Sequence, residues 1–217
     1  MAIDISKHIL LEDDFILVLD KPCGLMVEPD RNGFPNLLQY VKAYLKTSAG
    51  PNVDVYAQHL HRLDRPVSGV ILFAKQKSVL RNLSEQFAQR SVRKYYQAIT
   101  SHPPSLSQGK LEHWHRKEKK KALISNDFMP YAEQVKLEYV TEEYGAGQVL
   151  WNIELHTGKF HQIRAQLATI GCPILGDALY GSMVSYKTDA IALHACKLIF
   201  HHPISGDEIE VEKKFLP

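Results

Sequence analysis

Cysteine is scarce in this chain of 217 residues: Cys23, Cys172 and Cys196 stand far apart and are odd in number. That excludes a disulfide framework and leads us to expect a reduced, cytoplasmic protein. Long apolar runs are missing, and none approaches the ~20 residues that a membrane-spanning helix needs. The opening "MAIDISKHILLEDD" is acidic and lacks the apolar centre of a signal peptide. No linker rich in Gly, Ser or Pro divides the chain into differently patterned halves, and there is no repeat. Residues 1–217 are therefore expected to form one domain. A strong charge of one sign is also lacking. The net charge of +2 permits a nucleic-acid partner without arguing for one, because such a footprint needs clustered charge. Neither a Walker-type nor a dinucleotide-type glycine loop occurs, and there is no GxSxG elbow.

What is there is a series of short apolar and alternating segments. "FILVLDKP" from Phe15 reads as a buried strand ended by Pro22 and Gly24. "GVILFAK", "RKYYQAIT", "EQVKLEYVTEE", "QVLWNIELHTG", "AIALHACKLIF" and "EIEVEKK" also read as strands. Helical spacing occurs at Leu37, Leu38, Val41 and Leu45, and again at Leu80, Leu83 and Phe87, with Ser78 as the expected N-cap. In "KFHQIRAQLATIG", Phe160, Ile163, Leu167 and Ile170 would share one helix face, with Gly171 at the C′ position and Pro173 beyond it. Strands outnumber helices and do not alternate with them. This predicts an α+β fold with a central mixed, mostly antiparallel sheet. The charged run "HRKEKKK" at 115–121 is expected to be a solvated loop or strand end.

Chemistry concentrates in "HLHRLDRPVSGVILFAK". Asp64 lies between Arg62 and Arg65, with Pro66 restricting the backbone before it. It reads either as a carboxylate held ionised at a sheet edge or as an ordinary turn aspartate. Arg164 lies beside the apolar stripe of its helix. A guanidinium there needs a partner to offset its desolvation, and Glu154, Asp177 and Asp64 are the candidates. The alternative is that it reaches outward to water. His59 and His61 are two apart, as are His113 and His115, a spacing that puts both rings of a pair on one strand face. Further ligands at close spacing are missing and arginines flank the first pair, so we expect hydrogen-bonding histidines and no metal. Tyr95 and Tyr96 share a strand, so only one of them faces the core side. Such a tyrosine is either core or a group that stacks on a base or moves a proton. Cys23 is expected to be a small buried thiol.

These segments, in this order, resemble the RluA family of RNA pseudouridine synthases. "DDFILVLDKPCGL" resembles the family's opening strand and turn, and "HRLDRPVSG" its signature around a catalytic aspartate. "RKYYQA" matches a strand motif through Lys94, Tyr96 and Ala98. "LHTGKFHQIRAQLATIGCPILGDALYG" and "LHACKLIFHHPISG" resemble two later signatures. The resemblance spans nearly the whole chain. It implies an RNA-binding cleft and isomerisation of uridine in ribosomal or transfer RNA, without cofactor or metal. It also implies roles. Asp64 is the catalytic carboxylate, Tyr96 stacks on the base and assists proton transfer, and Arg164 pairs with and orients Asp64. Arg62, His61 and Leu193 contact substrate, with Arg62 filling the stack that the extruded nucleotide leaves.

Phe160, Gln166 and Glu28 depart from the family's usual Thr, His and His. No small RNA-binding domain fits ahead of Phe15, so recognition is expected to rest on the catalytic domain and on "SLSQGKLEHWHRKEKKK", with Lys119, Lys120 and Lys121 touching phosphates. A monomer is expected. Two rival readings are an RNA-binding protein that has lost the chemistry, and a metal hydrolase built on His59 and His61.

Overall fold

A computed structural model of the chain describes residues 3–29, 33–50, 53–145 and 147–217. Among these residues lie eleven strands and three α-helices. In chain order they are β1 (Ile9–Glu12), β2 (Ile16–Lys21), α1 (Leu37–Ala49), β3 (Gln58–His59), β4 (Ser68–Ala74), α2 (Lys77–Ala88), β5 (Arg93–Thr100), β6 (Gln108–Glu118), β7 (Lys121–Ser125), β8 (Glu133–Glu143), β9 (Val149–Leu155), α3 (Gln162–Thr169), β10 (Leu193–His201) and β11 (Glu208–Glu212). The fold is α+β, as expected. The chain divides into two compact units: residues 1–92 with 195–214, and residues 93–194 with 215–217.

In the first unit β1, β2 and β4 pair antiparallel, β3 pairs with β4, and β11 pairs with β10. Ile16 to Leu19 are fully buried on both strand faces, which is why their sequence runs apolar without alternation. Val79 and Leu83 of α2 pack on Ile16, Val18, Val70, Leu72 and Phe200. The α2 helix starts at Lys77 with Gln76 in the cap position. Ser78 is thus inside the helix rather than its N-cap, and its hydroxyl bonds the Gln76 side chain. Asn36 caps α1 in a reciprocal box with Gln39, which satisfies two of the donors left over at a helix start. Gly69 of β4 has φ +118, and a Cβ there would lie 2.3 Å from the Ala195 carbonyl oxygen. Only glycine lets the two strands approach so closely.

In the second unit the strand order is β5-β9-β8-β6-β7, antiparallel throughout. Its centre is Trp151, which is fully buried with its indole N–H donated to the Thr100 hydroxyl at 2.8 Å. The charged run at 115–121 takes the second of the two forms expected, a strand end. It forms the end of β6, a two-residue turn at Lys119 and Lys120, and the start of β7. The strand escaped notice because its inward positions are histidines: His113 and His115 are 7% and 5% exposed. The α3 helix also departs from the single apolar face expected, since Phe160 precedes it and Ile170 is its C-cap. Gln162 to Leu167 are all buried. Gly171 does take the left-handed C′ geometry at φ +79.

Candidate active site

Asp64 heads a tight turn that the chain has pinned on every side. The turn is closed by the Val67 N–H donating to the Asp64 carbonyl at 3.0 Å, with Arg65 and Pro66 at its centre. Leu63 and Val67, only 6% and 3% exposed, anchor it before and after. Arg65 is clamped to the turn that follows β2. The Gly24 N–H donates to the Arg65 carbonyl at 2.8 Å, and Arg65 Nε returns a bond to the Gly24 carbonyl at 3.0 Å. Beneath them sits Lys21, with no exposed surface. Its Nζ donates to the carbonyls of Leu25, Pro22 and Arg65 at 2.7, 2.9 and 3.3 Å. Three acceptors match the three N–H bonds of an ammonium. Burial nevertheless pushes Lys21 down to about 7, while Cys23, Asp64 and Asp20 pull it back up.

Arg62, next but one to Asp64, is exposed and ion-paired with Glu28, one of the three residues that depart from the family pattern. His59 Nε2 lies 3.5 Å from the same carboxylate, and burial keeps its imidazole below the usual range. His61 Nε2 accepts from the Leu72 N–H at 3.2 Å, and its ring stacks on Phe87 at 5.2 Å. Among the described residues no cluster of three or more His, Cys, Asp or Glu suits a metal. Cys23 is exposed, contrary to the buried thiol expected: the turn that Lys21 and Arg65 hold leaves its third residue facing water.

In the second unit Tyr96 of β5 is the buried member of its pair, at 8% exposure. Arg164, 5% exposed, is held in a fork by Asp177: Nε donates to Oδ2 at 2.7 Å and Nη2 to Oδ1 at 2.8 Å. Asp177 was one of the three carboxylates expected. The guanidinium also lies over Tyr180, with Cζ 5.1 Å from the ring centre. The Tyr180 hydroxyl accepts from the Ala122 N–H at 2.8 Å and sits 3.0 Å from His161 Nδ1. One tyrosine therefore ties Arg164, the start of α3 and the β6–β7 hairpin together. Gln166 donates to the Leu111 carbonyl and to His113 Nδ1, and burial keeps His113 neutral enough to accept. Phe160 stacks on His161 at 3.7 Å, and Lys117 Nζ lies over its ring at 4.6 Å. Leu193, 3% exposed, opens β10.

Residues 15–169, which contain Asp64, Tyr96 and Arg164, match the family described as RNA pseudouridylate synthase. The chain belongs to this family. Ribosomal large subunit pseudouridine synthase D of Zymomonas mobilis is 31% identical to it, over 96% of this chain and 69% of the relative. The tRNA pseudouridine synthase C of Pasteurella multocida is 30% identical, over 95% and 90%. The solved structure of Human RNA Pseudouridylate Synthase Domain Containing 4 matches at a TM-score of 0.80 and 23% identity, over 98% of this chain and 90% of that one. That likeness is one of fold, and it agrees with the mixed, mostly antiparallel sheet expected.

This pseudouridine synthase chain also holds residues that sequence reasoning did not single out. Lys21 looked like the charged end of a strand, and nothing local marks its side chain as buried. Tyr180 stood within "GDALYG", yet its bonds to Ala122 and His161 join segments far apart in sequence.

Proposed function

We propose that the chain converts uridine to pseudouridine in structured ribosomal or transfer RNA, as a cytoplasmic monomer without cofactor or metal, and that residues 1–217 serve as one catalytic domain. The relatives named for ribosomal and transfer RNA support this substrate class. The observation that carries the reading is the Asp64 turn, fixed by Lys21, Gly24 and Arg65 within the segment that matches the family. A turn whose backbone is held so firmly carries Asp64 at a fixed place, which lowers the reorganisation needed when it reacts.

In this reading the target nucleotide leaves its stack, at a cost of a few kcal/mol, and Arg62 fills the gap. The bond from the sugar's anomeric carbon to N1 breaks, the base turns, and a bond to C5 forms. The C5 proton departs and N1 gains one. Asp64 drives the first step either by attacking the anomeric carbon or by taking a proton from the 2′ carbon. Both routes use the ionised carboxylate. Tyr96 stacks on the base and assists removal of the C5 proton, Leu193 packs against the ring, and Arg164 orients Asp64. His61, bonded to β4 and stacked on Phe87, contacts the substrate beside Asp64. Lys119, Lys120 and Lys121 meet phosphates.

Nucleoside analysis tests the activity. RNA from cells lacking the protein is treated with the purified chain and digested. Pseudouridine should appear at the expense of uridine; RNA left unchanged under conditions in which the protein binds it would favour the binding protein without chemistry. A purified protein carrying zinc in a 1:1 ratio would instead favour the hydrolase built on His59.

A further inference from the structure

The loop joining β7 to β8 contains a turn whose geometry and sequence disagree. The Ala132 N–H donates to the Met129 carbonyl at 3.1 Å, with Pro130 second and Tyr131 third. Tyr131 has φ 60. This is the backbone of a type II turn, whose third position favours glycine or asparagine. A bulky side chain there is strained. Folding gains nothing from this ring, because Tyr131 is 96% exposed.

The neighbours make the position informative. Phe128, 70% exposed, stands edge-on to Trp114 at 5.1 Å. Arg116, on the same face of β6 as Trp114, donates from Nη1 to the Pro130 carbonyl at 3.0 Å and pairs through Nη2 with Glu118 at 3.5 Å. Two exposed aromatic rings thus stand in one loop, whose turn an arginine of β6 ties down. This face is also distinct from the one carrying Arg164. Along β6, His113 and His115 point inward to α3 and Phe160, and Trp114 and Arg116 alternate to the other side. A strained, exposed residue that does not serve the fold points to a function. Exposed rings free to stack are what an unpaired base requires.

We propose that the Met129–Ala132 turn, with Tyr131, Phe128 and Arg116, is a second RNA contact that stacks an unpaired base of the substrate away from the target uridine. This rests on the RNA-modifying reading above and adds to it: the substrate carries a single-stranded segment beside its target site. Tyr131 is the stacking residue and Phe128 the second ring, while Arg116, bonded to the Pro130 carbonyl and paired with Glu118, holds the turn that presents them.

The test measures binding of a short oligouridylate and of an RNA duplex of equal length to the full chain, to Tyr131→Gly and to Tyr131→Trp. The glycine variant relieves the strain, so its melting temperature should equal or exceed that of the wild type. Its affinity for oligouridylate should fall about fivefold or more, which corresponds to ~1 kcal/mol, the lower end of one base–aromatic stack. Tryptophan should keep the affinity, and duplex binding should not change. Equal binding of oligouridylate by wild type and glycine variant would overturn the proposal, also if the turn were then found to hold a protein. An equal loss for both RNAs would overturn it too, as a general effect on the surface. Failure of the enzymatic reading would show separately, as absence of pseudouridine formation by the wild type.

Discussion

Lys21 carries an amino group into a place without water, and this makes stability depend on pH. Its ordinary value is 10.5 and its folded value about 7. Between these the unfolded chain binds more protons than the folded one, so stability from this group rises as pH increases. Below about 7 both states are protonated, and the full cost of burying the charge is present. Replacing Lys21 with Met removes the effect. Urea unfolding from about pH 7 upward should show the wild type gaining on Lys21→Met, by at most ~1.4 kcal/mol per pH unit. A difference that stays constant with pH would contradict this account. At this scale the neighbours of Asp64, two arginines and a proline, left both a held carboxylate and an ordinary turn aspartate open, and only the resemblance of "HRLDRPVSG" to a family signature singled it out. The sequence did not reveal Lys21, because burial of an amine depends on carbonyls that only the turn brings together. Cys23 was misread for the same reason.

The α3 helix is polar where a helix stripe is usually apolar, and its polar residues are nearly all satisfied by named partners. Gln162 accepts from the Thr157 hydroxyl and the Lys159 N–H and donates to Gln166. Arg164 has Asp177. With both members of that ion pair almost fully buried, removing the acid takes the fork away from a buried guanidinium. Asp177→Ala should destabilise the protein by about 3–5 kcal/mol, read as a lower denaturation midpoint; Asp177→Asn should cost less because one bond survives. A midpoint unchanged in the alanine variant would mean that another group carries the guanidinium. Most strands were legible because their apolar residues alternate or run on. The β6–β7 hairpin was not, since buried histidines look polar in a sequence, and their partners on α3 and at Phe160 lie some 45–53 positions away.

At the scale of the molecule, the net charge of +2 is too small to hold RNA without clustering. Lysines on the sheet of the second unit are largely neutralised, Lys110 by Glu138 and Lys136 by Glu112 and Glu138. Lys119, Lys120 and Lys121 are exposed at the tip of the hairpin and lack an ion-pair partner among the described residues. Replacing the three with Ala should weaken RNA binding and flatten the dependence of log affinity on log salt by up to about 2, at ~0.7 per phosphate contact. An unchanged slope would remove the tip from the interface. The fold and the family were readable because five motifs occur in one order over nearly the whole chain; which uridine is chosen is a matter of surface shape that no motif encodes. The central claim is that Asp64 performs the isomerisation. It is tested most directly by tritium release from RNA labelled at uracil C5, comparing wild type with Asp64→Asn. The account predicts release by the wild type and a loss of at least about a hundredfold in the variant, with RNA binding retained. Release by Asp64→Asn at the rate of the wild type would contradict it.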